Sequence, residues 1–133
     1  MNDTDWLRTW IDDHQGVAGT IHRVRGDQLV LAASVNIPPP VLEATRFIPL
    51  GKGMAGLAWQ RRAPVQTCNL QDDPTGDVRP GAKAVQAGAA VALPVFDAEG
   101  AVRAVLGVAF AYNGQIRADR LSRLEQTGAT LPD

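Results

Sequence analysis

Residues 89–112 read AAVALPVFDAEGAVRAVLGVAFAY. Two apolar runs, 89–96 and 101–112, flank Asp97, Ala98, Glu99 and Gly100. Runs this short and this apolar read as strands covered on both faces. The acidic, glycine-ended turn folds them into a hairpin. A second hairpin is read over 18–36, where AGTIHRV and QLVLAASV flank Arg25, Gly26 and Asp27. Glycine there accepts the positive φ of a tight turn. Sequential hairpins pair antiparallel, so the two strand pairs build an antiparallel sheet.

The ends of the chain read as helices. Over 3–15, Trp6, Leu7, Trp10 and Ile11 share one apolar face. Asp3 or Thr4 is the expected cap and Gly16 the expected stop. Over 117–130, Leu121 and Leu124 share a face opposite the charges. Between the hairpins, Pro38–Pro40 end the second strand, because proline cannot donate to a ladder. Residues 41–46 read as a short helical turn. Phe47, Ile48 and Leu50, interrupted by Pro49, read as a short edge strand. GKGMAGLAWQRR (51–62) opens on glycines and continues as a helix, PVQTC (64–68) is a short strand, and NLQDDPTGD (69–77) is a loop. Residues 80–88 read as a last short helix.

The expected architecture is α+β: a central antiparallel sheet with the terminal helices on one face. A helical insertion over 41–88 covers the other face and leaves a small cavity beneath it. One domain spans 1–133, with an N-terminal helix in 1–16, the sheet in 17–112 and a C-terminal helix in 117–131.

Composition narrows the function. The chain has 133 residues, 45% hydrophobic and 20% charged, which excludes a disordered tail. The net charge is −1 with no basic run, so the usual footprint of nucleic-acid binding is missing. No run reaches the roughly 20 apolar residues of a membrane span. The start, MNDTDWLRTW, is acidic and does not read as a signal peptide. One cysteine allows neither an intramolecular disulfide nor a multi-thiol metal site. A cytoplasmic location is expected.

GKGMAGLAWQRRAPVQTCNLQDD (51–73) resembles the GAF-domain segment in which a glycine turn opens a helix, followed by Pro-Val, a short strand and an acidic loop. Residues 89–110 resemble the family's closing hairpin, and the resemblance runs over 17–131. It implies a ligand pocket on the sheet face away from the terminal helices. Carried over, the pocket positions are Met54, Ala55, Cys68, Asn69, Asp72, Asp73 and residues 78–86, among them Arg79, Lys83 and Gln86. Arg79 and Lys83, four apart, would favour an anion if 79–87 is helical from its start, and otherwise read as two solvated surface cations. The family's usual role is small-molecule sensing for an output domain. The chain leaves no room for one, so a separate sensor kinase or transcription regulator is the expected partner. No cofactor is expected. GAF terminal helices often pair into dimers. Trp6, Trp10, Leu121, Leu124 and Leu131 therefore either join a homodimer or only cover their own sheet.

The resemblance also reaches the free methionine-(R)-sulfoxide reductases, which are stand-alone GAF domains. Their chemistry needs a thiolate to attack sulfur and a second thiol to resolve the sulfenic acid. Ala55 and Ala84 stand about where those cysteines are expected, and Cys68 lies on another element. A non-catalytic domain is therefore expected. Cys68 reads as a core residue of its strand, since cysteine is among the most buried types. His14 and His22 fall on different elements and are too few for a metal site. Strand alternation puts His22 with Thr20 and Val24 on one face, which turns it toward the pocket, and a hydrogen-bonded or solvated histidine is expected there rather than a metal or haem ligand. Gly51, Gly53 and Gly56 spell GxGxxG, with Asp72 about twenty residues on. The long buried strand that a dinucleotide site requires does not precede them. The cyclic-nucleotide signature and the cysteine–histidine pair of bilin-binding relatives are missing.

Overall fold

The structure, a computed structural model, describes residues 1–71 and 87–133. In chain order the elements are α1 (Asp3–Asp13), β1 (Ala18–Arg25), β2 (Gln28–Val35), α2 (Pro39–Thr45), β3 (Phe47–Pro49), α3 (Gly53–Arg61), β4 (Val65–Thr67), β5 (Ala90–Phe96), β6 (Val102–Ala109) and α4 (Ala118–Gly128). The strands form one sheet in the order β3-β2-β1-β6-β5-β4, and every pairing is antiparallel. The expected α+β class, the two hairpins and the Pro49 edge strand are all present.

Helices α1 and α4 cover one face. Leu7, Trp10, Ile11 and Leu124 pack there on Ile21, Leu93, Leu106 and Val108. Each such side chain removed from water stabilises the fold by roughly 1.5–3 kcal/mol. Trp10, Leu124 and Leu131 are buried within the chain, while Trp6 and Leu121 are half-buried against the same core. Helices α2 and α3 lie on the other face. Helix α3 packs on β5 and β6 and touches both edge strands, β3 and β4, so the sheet curls around it.

Local details depart from the sequence expectations. The cap of α1 is Asn2, whose Oδ1 accepts the Asp5 N–H at 2.8 Å, rather than Asp3 or Thr4. The helix ends at Asp13, and the left-handed residue beyond it is Gln15 (φ 60°), not Gly16. Gly16 serves close packing instead: a Cβ there would lie 2.7 Å from Val108 Cγ2. Strand β6 stops at Ala109, short of residue 112. Phe110 and Tyr112 still bond to Ala89, but outside the regular ladder. Helix α4 is shorter at both ends than the 117–130 expected. The short helix expected over 80–88 lies, up to residue 86, outside the described residues.

Candidate ligand pocket

A hollow of about 420 Å³ separates the sheet from α2 and the start of α3. Its floor comes from the central strands: Ala18, Thr20 and His22 of β1, Gly107 of β6, and Ala90 and Ala92 of β5. Its roof comes from Val41, Ala44 and Thr45 of α2, Ile48 of β3, and Lys52, Met54 and Ala55 around the start of α3. Ile37 and Leu70 close its sides. The volume follows from the sequence of the strands. Alanine and glycine occupy the floor where bulkier strand residues would fill the gap. At Gly107 a Cβ would lie 2.8 Å from Thr20 Oγ1. The size falls in the range of small-molecule sites, roughly 300–1,000 Å³.

The glycine turn aims the first turn of α3 at the hollow. Gly51 (φ 79°) and Gly53 (φ 66°) adopt left-handed backbone that other residues resist. At Gly56 a Cβ would lie 2.7 Å from the Pro49 carbonyl oxygen, so α3 can approach β3 only with glycine there. The GxGxxG spacing is thus accounted for by turn geometry and helix–strand packing.

His22 is the buried polar group of the floor, 2% exposed. A register shift between Ile21 and His22 leaves Ala32 of β2 unopposed, so Ile21 faces Ala33 and His22 faces Leu31. The His22 Nε2 lies 2.8 Å from the Thr45 carbonyl oxygen. A carbonyl only accepts, so Nε2 carries the proton and Nδ1 keeps a lone pair. That Nδ1 is buried and has no hydrogen-bond partner among the described residues. Burial pushes the imidazole below its ordinary 6.5, against a smaller opposing effect of the Thr45 carbonyl. His22 is therefore a neutral acceptor at neutral pH.

The sequence-derived positions divide into three groups. Met54 and Ala55 line the hollow. Cys68 and Asn69 are not part of its lining, which takes Leu70 from that segment. Asp72, Asp73, Arg79, Lys83 and Gln86 lie outside the described residues. Cys68 is exposed, contrary to the core position expected for it. Strand β4 ends at Thr67, and alternation sends Val65 and Thr67 inward but Gln66 and Cys68 away. The Cys68 carbonyl accepts the Gly114 N–H at 2.9 Å. Sequence reasoning missed Lys52, Ile37 and Leu70. It placed Lys52 only in the glycine turn, where nothing in the motif shows which way the side chain faces.

His14 belongs to the helical layer, with Nε2 2.8 Å from Thr127 Oγ1. The two histidines thus serve opposite faces of the sheet. Among the described residues no group of three or more His, Cys, Asp or Glu side chains could hold a metal ion. No helix among them is long and apolar enough to cross a membrane.

A curled antiparallel sheet with terminal helices behind it and a roofed hollow in front defines a class of pocketed α+β folds. The GAF-domain family pattern matches residues 4–131, and the chain belongs to that family. Solved structures agree on the fold. The GAF domain of an Acinetobacter phosphoenolpyruvate-protein phosphotransferase is similar with a TM-score of 0.74 at 20% identity, over 96% of this chain and 76% of that one. A type II free methionine-R-sulfoxide reductase from Thermoplasma acidophilum gives a TM-score of 0.74 at 14% identity, over 96% and 87%. The free methionine-R-sulfoxide reductase of Neisseria meningitidis, solved with its substrate, gives 0.66 at 21%, over 96% and 77%. No curated protein matches the chain.

Proposed function

We propose that this GAF domain is a non-catalytic receptor for a small molecule held between the sheet and the α2–α3 roof. The observation that carries the reading is the hollow itself, about 420 Å³, floored by small residues and containing a buried histidine acceptor. Family membership supports it, because GAF domains commonly serve sensing and regulation. The ligand's effect passes to a separate signalling partner, a sensor kinase or a transcription regulator.

The reductases among the structural neighbours supply the second reading. Thiol-based sulfoxide reduction needs a nucleophilic sulfur at the substrate and a second sulfur to resolve it. The chain has one cysteine, and Cys68 is exposed and outside the lining. That placement favours a receptor over a reductase. The test is mass spectrometry of small molecules released from freshly purified protein, beside a turnover assay with free methionine-(R)-sulfoxide and a thiol reductant. A stoichiometric released compound without turnover supports the receptor. Sustained turnover that Cys68→Ser abolishes overturns it.

A further inference from the structure

We infer that the hollow receives a predominantly apolar molecule carrying a single hydroxyl group, held by the Thr20–His22 pair on β1; this rests on the receptor reading above. Three observations converge on that chemistry. First, the walls are mostly hydrocarbon among the described residues: Val41, Ile48, Met54, Ala55, Leu70 and Ala92 bring no hydrogen-bonding side chain. A strongly hydrated guest would lose its water without replacement there, whereas apolar surface gains by burial.

Second, Thr45, the polar side chain that α2 brings to the lining, is already committed. The Thr45 Oγ1 donates to the Val41 carbonyl at 2.8 Å, and the Thr45 carbonyl accepts from His22 Nε2 at 2.8 Å. Third, among the described residues the floor carries two polar groups on one strand face, His22 Nδ1 and the Thr20 hydroxyl, for which no hydrogen bond is seen. The His22 Nδ1 is an acceptor without a partner among the described residues. A buried acceptor left unpaired costs stability, so a donor is expected to reach it. Thr20 stands two residues away on the same face, and its hydroxyl lies over Gly107, where a Cβ would come within 2.8 Å of it, so only glycine leaves that hydroxyl room in the lining. A hydroxyl is the simplest group able to donate to an imidazole lone pair while accepting from a threonine. A carboxylate has no proton to give His22, and an ammonium cannot accept from Thr20.

Lys52, at the cap of α3, is the one cation in the lining among the described residues, but its side chain is exposed. It belongs to the mouth and does not set the chemistry of the floor.

The experiment compares matched probes on the purified chain by ligand-observed NMR and calorimetry: p-cresol, toluene, and the polar anions citrate and nitrate. The expected result is p-cresol bound about tenfold more tightly than toluene, the worth of one hydrogen bond. In His22→Phe that preference should vanish while toluene still binds, which also shows that the variant is folded. Equal binding of p-cresol and toluene by the native chain overturns the hydroxyl assignment. Binding of citrate or nitrate with neither aromatic probe overturns the apolar assignment and leaves the receptor reading standing. If all four probes fail and no compound is released from purified protein, the receptor reading falls with it.

Discussion

Arg23 grips Asp3 with two nitrogens, Nε at 2.9 Å and a terminal nitrogen at 2.7 Å, and the same terminal nitrogen donates to the Pro132 carbonyl at 2.8 Å. One side chain of β1 thus ties the start of α1 to the segment after α4. Arg103 of β6 adds a bond to the Leu131 carbonyl at 2.6 Å. Two-pronged pairing of this kind outperforms an ordinary surface ion pair. Arg23→Met is expected to cost about 1–2 kcal/mol in urea unfolding and to raise amide exchange in the first turn of α1. Unchanged exchange there would show that the grip contributes nothing to holding the helix.

His22 and Asp3 give stability two separate pH dependences. The folded His22 titrates below 6.5, so the unfolded chain binds more protons as pH falls past that value. Its contribution is complete above 6.5 and declines below it, toward the lowered folded value. His14 acts in the same direction, chiefly through burial. The Arg23 hydrogen bonds hold Asp3 below its ordinary 3.8 despite some opposing burial, so its contribution persists until pH drops beneath that value. Urea midpoints should fall between pH 7.5 and 5.5, and His22→Gln with His14→Gln should flatten that slope. Asp3→Asn should lower the midpoint evenly across that range, leaving its slope unchanged, and flatten the acid limb below 3.8.

Glycines of the two hairpin strands and of the turn should respond differently to a methyl group. At Gly19 a Cβ would lie 2.6 Å from the Gly107 carbonyl oxygen and 2.6 Å from Ile11 Cδ1. The backbone oxygen cannot step aside, so Gly19→Ala is expected to destabilise by about 2–3 kcal/mol. Gly26 has open space around it and only its positive φ to protect. Gly26→Ala should cost about 1 kcal/mol. Equal losses in thermal unfolding would contradict this contrast.

Ala44 is exposed on α2 yet belongs to the lining, so it stands at the mouth. Ala44→Trp should leave the melting temperature within about 2 °C, as surface changes away from special features do, because no core contact is removed. It should weaken p-cresol binding by about tenfold or more through simple obstruction. Undiminished binding would place the guest elsewhere on the molecule.

Strand alternation and punctuation made most of the architecture legible. The run over 89–96, the Gly26 turn and the Pro49 interruption each carry a local physical constraint that survives folding. The face of His22 was legible too, from its spacing to Thr20. What it bonds to was not, because Thr45 arrives from a separate element and the bulge at Ala32 leaves no compositional trace. Cys68 was misread because burial habit was given more weight than the inward Val65 and Thr67, whose period already turns it outward. Gly16, Gly19 and Gly107 act through neighbours distant in sequence, so no local pattern reveals their role. For Asp73, Arg79, Lys83 and Gln86 the described residues add nothing to the family resemblance.

The sheet ends on both sides in strands of three residues, β3 with Pro49 at its end and β4 between Pro64 and an outward-turning Cys68. A wandering chain seeking to zip onto either border finds a foothold too brief to grip, and on one side a residue unable to offer a hydrogen. The molecule is thereby shielded against fibrous self-stacking, even though a hollow opens beneath its roof.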